Sequence, residues 1–274
     1  MADLHLTSPA NPRLKSLVAL RRRRVRDEAR ATLVEGLEET VLAVGAGARV
    51  RSLYYCPELF GAATQGALPQ LRSAAGESVR LSRAAFEKVA YREGPDGILA
   101  VVDAVGHELG ALRLPPRPLL LLAQAVEKPG NLGAMLRTAD GAGADAVLAA
   151  DPVTDWGNPN LVRASKGTVY SVAVAAAPAA QVLDWLAQHD IALVATTPDT
   201  DLDYADVDYT GSVAIAVGAE KTGLTDDVLA AATQRVRIPM AGRADSLNVA
   251  TSAAIVAYEA VRQRRRAVDA PSPT

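Results

Sequence analysis

Gly218-Ala219-Glu220-Lys221-Thr222-Gly223 and, further on, Ile238-Pro239-Met240-Ala241-Gly242-Arg243-Ala244-Asp245-Ser246-Leu247-Asn248-Val249 decide how this chain is read. Each follows an apolar run with the length of a strand, Ser212–Val217 and Arg235–Ile238, and each stands at or before a helix start. Gly-rich turns at strand ends are where open α/β sheets bind ligands. The pattern predicts a ligand site built from loops in the last third of the chain.

Upstream, Leu119–Val126 is an apolar run of the kind needed by a strand buried on both faces of a parallel sheet. It leads into Glu127-Lys128-Pro129-Gly130-Asn131-Leu132-Gly133, where glycines allow close backbone approach and the next helix offers its N-terminal amides to an anion. Arg137 lies further along that helix and is expected to face the same space as Asn131. Taken alone, the segment reads equally well as a turn followed by a surface arginine.

Further strands are expected at Ala146–Ala150, Val169–Val174, Ile191–Thr196, Val213–Val217 and Val236–Ile238, with helices at Pro178–Gln188 and Thr225–Ala232. A last helix is expected from Ser246 to Arg264, with Val249, Ala253, Val256, Ala260 and Val261 along one stripe. Before residue 105, helical and strand-like segments alternate: a basic helix over Pro12–Ala29, then strands at Thr32–Glu35, Val50–Cys56, Val79–Leu81 and Ile98–Val102. The fold class is therefore α/β. A small α/β domain is expected over 1–105, a Pro/Gly-rich linker over 106–117, a mostly parallel α/β domain over 118–266 and a disordered tail over 267–274.

The composition is that of a globular protein, 49% apolar and 22% charged, with a net charge of −2. No uninterrupted apolar run approaches the roughly 20 residues of a membrane span, and Met1–Lys15 lacks an apolar signal core, so no membrane association or export is expected. The single cysteine, Cys56, excludes a disulfide framework. The three histidines, His5, His107 and His189, have no metal-ligand spacing. Net charge gives no sign of a nucleic-acid partner, but its distribution does. Arg13, Lys15, Arg21, Arg22, Arg23, Arg24, Arg26 and Arg30 crowd the first 30 residues. Such a run either binds phosphates or is a solvated helix face.

With Asn131-Leu132-Gly133-Ala134-Met135-Leu136-Arg137-Thr138, the two C-terminal segments resemble the three motifs of the SpoU (TrmH) family. Its members transfer methyl groups from S-adenosylmethionine to ribose 2′-hydroxyls of RNA. The resemblance covers 119–264 and implies the SPOUT fold, a mostly parallel sheet with a trefoil knot at its C-terminus, which is a rare exception to chain-threading rules. It also implies a cytoplasmic homodimer whose active sites draw on both subunits. The N-terminal block resembles a ribosomal-protein L30e-like RNA-binding domain, through Ser8–Lys15 and Val34-Glu35-Gly36. The overall layout resembles the thiostrepton- and avilamycin-resistance enzymes that act on 23S ribosomal RNA, so antibiotic resistance is among the implied roles. Transfer RNA stands as the alternative target.

Carried onto this chain, the resemblance makes Arg137 catalytic, with Asn131, Glu220 and Asn248 around it. An arginine stays protonated, so holding a phosphate and stabilising alkoxide charge suits Arg137 better than general-base action. Asn131 is expected to orient the ribose or Arg137, and Glu220 to pair with Arg137 or fix its loop. Thr196, Gly218, Ala219, Ile238, Met240, Ser246, Leu247 and Asn248 are expected to contact S-adenosylmethionine, with Ser246 and Asn248 also readable as caps of the last helix. Arg13, Arg21, Arg22, Arg23, Arg163 and Lys166 are the expected RNA contacts, Lys166 standing where related enzymes have arginine. No metal is expected.

Two rival readings remain. Gly141-Ala142-Gly143-Ala144-Asp145-Ala146 matches a dinucleotide fingerprint, but it precedes a predicted strand instead of following one. A non-catalytic RNA-binding protein is disfavoured by the joint presence of Asn131, Arg137, Glu220 and Asn248.

Overall fold

The structure, a computed structural model, describes residues 4–269. In chain order the first elements are β1 (Leu4–Leu6), α1 (Pro12–Ala19), α2 (Arg23–Ala29), β2 (Ala31–Glu35), α3 (Leu37–Gly45), β3 (Val50–Tyr55), α4 (Ala62–Ala74), β4 (Ser78–Leu81), α5 (Arg83–Val89) and β5 (Ile98–Asp103). There follow β6 (Leu119–Gln124), α6 (Pro129–Ala142), β7 (Ala146–Ala150), α7 (Pro159–Ala164), β8 (Ala173–Ala177), α8 (Ala179–Gln188) and β9 (Ala192–Thr196). The last are β10 (Val213–Val217), α9 (Asp226–Ala231), β11 (Gln234–Val236) and α10 (Val249–Asp269).

The chain divides into two compact units. The first joins residues up to Val105 with Asp155–Ser171, and the second joins Gly106–Thr154 with Val172 onwards. This differs from the expected linear division in two ways. Residues 106–117 are not a free linker. His107 N donates to Val174 O (2.8 Å), while Leu109, Leu112 and Leu114 pack on the second unit's core. Prolines and glycines marked the segment's irregular backbone, but its leucines bury. The other difference is that 155–171, with Arg163 and Lys166, leaves its sequence neighbours to pack on the first unit.

The first unit holds a mixed five-stranded sheet of order β1-β4-β3-β5-β2 among the described residues. The expected helix over 12–29 is broken at Arg21–Arg22, and buried Arg26 accounts for the break. Its Nη1 donates to the carbonyls of Leu20 (3.0 Å) and Arg21 (2.8 Å), satisfying backbone acceptors at the end of α1. Its other nitrogens bind both carboxylate oxygens of Asp155. A paired, hydrogen-bonded charge is the form in which an arginine tolerates burial. Arg26 is thus structural, although the sequence placed it in the basic run.

The second unit is a parallel six-stranded sheet, order β11-β9-β10-β6-β7-β8, among the described residues. All of β6, β7 and β10 is buried, as near-continuous apolar runs require. Leu120, Leu122, Leu148 and Ala216 pack on one face with Val182, Trp185 and Leu186 of α8 and Val228 of α9. On the other face, α10 packs against α6 and β10.

Two local expectations change here. The strand expected at Val169–Val174 begins at Ala173, after a 3-10 turn over Thr168–Tyr170. The Gly141–Ala146 string is a helix end: Gly143 closes α6 in the left-handed region at φ +67°, where only a residue without a Cβ sits freely. Of the expected tail, Ala267–Asp269 continue α10, and residues 270–274 lie outside the described residues.

The first unit buries Glu35 completely, where its Oε2 accepts from Tyr91 N (2.7 Å) and its Oε1 has no hydrogen-bond partner. Burial pushes this carboxyl up from its ordinary 4.5 to about 7, against the lowering effect of the Tyr91 N–H. The folded chain therefore holds the proton more tightly than the unfolded chain. Stability from this group is full below about pH 4.5 and is lost as pH rises through about 7. Denaturant midpoints measured from pH 4.5 to 8 should fall with pH, and Glu35→Gln should flatten that fall.

Candidate functional site

The order of the second sheet fixes where a site belongs. From β6 the chain moves outward through β7 to β8; it then returns to β9, and β10 inserts between β9 and β6. The segments after β6 and β10 leave these two neighbouring strands in opposite directions. That is the topological switch point, where a crevice opens at the carboxyl ends of the strands.

At this edge lies a cavity of about 630 Å³. Its walls come from the ends of β9 and β10 with the turns that follow them, the segments 237–240 and 245–247, and the start of α10. Seven of the eight expected cofactor residues line it: Thr196, Gly218, Ala219, Ile238, Met240, Ser246 and Leu247. The loop after β10 is tight because Gly218 lies directly on Gly223. A Cβ on Gly218 would stand 2.0 Å from the Gly223 carbonyl carbon. Gly223, at φ +66°, closes the loop with its N–H on Ala219 O (2.9 Å). The opposite wall is clasped by Arg237, which the sequence reading missed. Its backbone pairs with Leu202 and Tyr204, and its guanidinium reaches Asp203 (3.0 Å) and Asp201 (3.4 Å). No local pattern pairs 201–203 with 237; only the approach of the two segments does.

Beside the cavity, three distant segments meet through side chains. Asn131 donates from Nδ2 to Glu220 Oε1, and Asn248 donates from Nδ2 to Asn131 Oδ1 (3.1 Å). Lys128 Nζ lies 3.6 Å from Glu220 Oε1. Asn248 does not line the cavity. Its Oδ1 accepts from Ala250 N (3.0 Å) and Thr251 N (3.4 Å), so it is the N-cap of α10. Of the two residues expected as possible caps, Asn248 therefore takes that role, while the Ser246 hydroxyl donates to Asp245. α10 accordingly starts at Val249, later than expected.

Arg137 does not join this network. Glu220 is held by Asn131 and Lys128, and Arg137 is exposed, with no ion pair among the described residues. The expectation that it shares a face with Asn131 fails on helix geometry. Six residues at 3.6 per turn leave the two side chains about 120° apart.

The expected RNA contacts all lie in the first unit, and they are not equivalent. Arg13 is paired with Glu77. Arg21 donates to the carbonyls of Val89 (2.8 Å) and Ala90 (2.9 Å) and lies over the Tyr91 ring. Arg22, Arg23 and Arg163 are exposed, Arg23 beside Asp27 at 3.8 Å. Exposed Lys166 stands 3.9 Å from Glu38.

The cavity suits S-adenosylmethionine. Met240 and Leu247 line it while exposing 37% and 38% of their surface, which offers apolar area to a flat ring. Thr196 contributes a buried hydroxyl with no partner, an unmet hydrogen bond that a ligand polar group can complete. No group of three or more His, Cys, Asp or Glu among the described residues is arranged to hold a metal ion.

Known proteins resemble this chain over nearly its whole length. The family described as SpoU rRNA Methylase matches residues 118–258, and the MRM3-like substrate binding domain matches 11–100. The chain is 32% identical over 258 residues to the 23S rRNA (uridine(2479)-2′-O)-methyltransferase of Streptomyces viridochromogenes, covering 92% of this chain and 89% of that one. A solved RNA 2′-O ribose methyltransferase is 42% identical, with a TM-score of 0.83 over 96% of this chain and 100% of that one. An AdoMet-bound rRNA methyltransferase from Sinorhizobium meliloti is 29% identical, with a TM-score of 0.86 over 94% and 97%.

Because Gly218 has no room for a side chain, Gly218→Ala must open the loop that carries Ala219 and Glu220. Calorimetry with S-adenosylmethionine should show affinity lowered by about tenfold or more, an energy of roughly 1.4 kcal/mol.

Proposed function

The chain belongs to the SpoU rRNA methylase family, and on that premise we propose that it methylates a ribose 2′-hydroxyl of 23S ribosomal RNA. It is an S-adenosylmethionine-dependent RNA 2′-O-methyltransferase. The observation that carries the site assignment is the Asn131–Glu220–Asn248 network beside the cavity at the switch point. Support for the target comes from the 23S relative, which aligns with nearly the whole chain. Transfer RNA remains the alternative, because the motifs report chemistry and not target.

When bound, S-adenosylmethionine supplies an electrophilic methyl group. In our reading, the residues lining the cavity hold it, with Thr196 Oγ1 on a polar edge and Ile238, Met240 and Leu247 against the adenine. Asn131 orients the ribose and is itself oriented by Glu220 and Asn248. Arg137 is exposed, where its guanidinium meets a phosphate and stabilises charge developing on the 2′-oxygen. Since Arg137 points away from Asn131 on its own helix, we assign it to the active site of a second subunit in a homodimer. The active protein is then cytoplasmic and dimeric, with 118–266 as the methyltransferase domain. The return of the chain from β11, outside β9, to α10 beside α6 supports the knotted topology. RNA affinity is assigned to the first unit, chiefly to Arg22, Arg23, Arg163 and Lys166, which remain exposed; Arg13 and Arg21 are held by internal contacts.

The deciding experiment maps 2′-O-methylation after incubating the protein separately with 23S ribosomal RNA and transfer RNA. Modification of transfer RNA alone overturns the target. Arg137→Ala should abolish transfer in single-turnover assays while calorimetry shows donor affinity near wild type; near-normal turnover would remove the assigned role. Arg163→Glu combined with Lys166→Glu should weaken RNA binding and make its dependence on salt shallower, because fewer phosphates are neutralised.

A further inference from the structure

Gln124 is an almost fully buried amide at the last position of β6. Its Oε1 accepts from Thr225 N (2.9 Å), and its Nε2 donates to Thr225 Oγ1 (2.9 Å) and to Asp151 Oδ2 (3.3 Å). Asp151 is itself held, its Oδ1 accepting from Ala179 N (2.9 Å). The amide is thus satisfied on both ends, and its orientation is set by one N–H and two oxygens.

Thr225 is the N-cap residue of α9, yet it makes no side-chain capping bond. A threonine there ordinarily accepts from the first turn of its own helix. Here the hydroxyl is turned to Gln124. Thr225 directly follows the loop 218–224, which carries four cavity-lining residues, Gly218, Ala219, Glu220 and Gly223. The β10–β6 ladder ends at Val217↔Ala123. Past that point no ladder pair holds the loop to β6, and the Gln124 amide takes over. The same strand end leads into α6, which carries Asn131. Gln124 therefore sits between the two halves of the Asn131–Glu220 contact.

We propose that Gln124 is a positioning residue for methyl transfer, gripping Thr225 so that the 218–224 loop keeps its register with α6. This rests on reading the cavity as the S-adenosylmethionine site. Gln124 lines neither the cavity nor the network and touches no reacting atom.

Four variants test it by calorimetry with S-adenosylmethionine, by RNA binding and by thermal melting. Gln124→Met and Thr225→Val should each weaken donor binding about tenfold, roughly 1.4 kcal/mol, with RNA affinity unchanged. The double variant should be no weaker than the more affected single, since both remove one shared contact. Leu186→Ala destabilises the same core from α8, at a residue that neither lines the cavity nor bonds Thr225, and should keep donor affinity. Wild-type affinity in both single variants, additive losses, or an equal loss in Leu186→Ala would overturn the proposal. Should Gln124→Met fail to fold, exposed Thr225→Val carries the test alone. Wild-type protein that bound no donor would instead remove the reading of the cavity, and this proposal with it.

Discussion

The parallel pairing of β10 with β6, from Val213↔Leu119 to Val217↔Ala123, is the constraint on which the rest of the catalytic unit depends. Two strands about a hundred residues apart in sequence lie side by side at the sheet's centre, both buried along their whole length. Parallel strands end at the same edge, so the turns after Gln124 and Val217 are forced together. Everything in the site follows from that edge. Asn131 arrives on the helix after β6, Glu220 in the loop after β10, and the cavity lies against the second of these turns.

The loop at that edge shows how close packing replaces regular structure. Gly218 against Gly223 leaves no space for a methyl group, and Gln124 holds Thr225 where the ladder stops. Asn248 adds a third tie. A single amide caps α10 with its oxygen and holds Asn131 with its nitrogen, so the start of α10 and the orientation of Asn131 are set together. The far end of α10 is anchored just as heavily. Arg264 donates to the carbonyls of Arg117, Pro118, Tyr209 and Gly211, and Gln263 bonds Val207 and Tyr209.

In the first unit, the basic run divides by what each arginine satisfies. Arg26 neutralises Asp155 and satisfies two carbonyls, Arg21 binds two more, and Arg13 pairs with Glu77. A guanidinium carries five donors, and a chain turn presents unsatisfied carbonyls nearby. Charge counted along a sequence therefore overstates the charge available to a partner. Arg23 and Arg24 stand only beside carboxylates of their own helix, Asp27 at 3.8 Å and Glu28 at 3.7 Å, and stay exposed.

By itself, the sequence determined the α/β class and most strands to within a residue or two. Those properties live in local pattern: apolar runs of strand length, and glycines where the backbone must turn tightly. The seven expected residues that line the cavity, and the grouping of Asn131, Glu220 and Asn248, came from the resemblance of three ordered motifs to a known family. Only the tertiary structure decided how these residues are used. Asn248, not Ser246, caps α10, because Asn131 waits opposite its amide nitrogen. Glu220 meets Lys128 and not Arg137, because six residues turn a helix by well over one revolution. Arg237, Gln124 and Thr225 gave no signal in sequence, since each acts on a partner brought near only by the folded sheet. The departure of 155–171 to the first unit was equally hidden. Its half-buried anchor, Asp155, is defined by an arginine well over a hundred residues away, and no periodicity records a contact of that range.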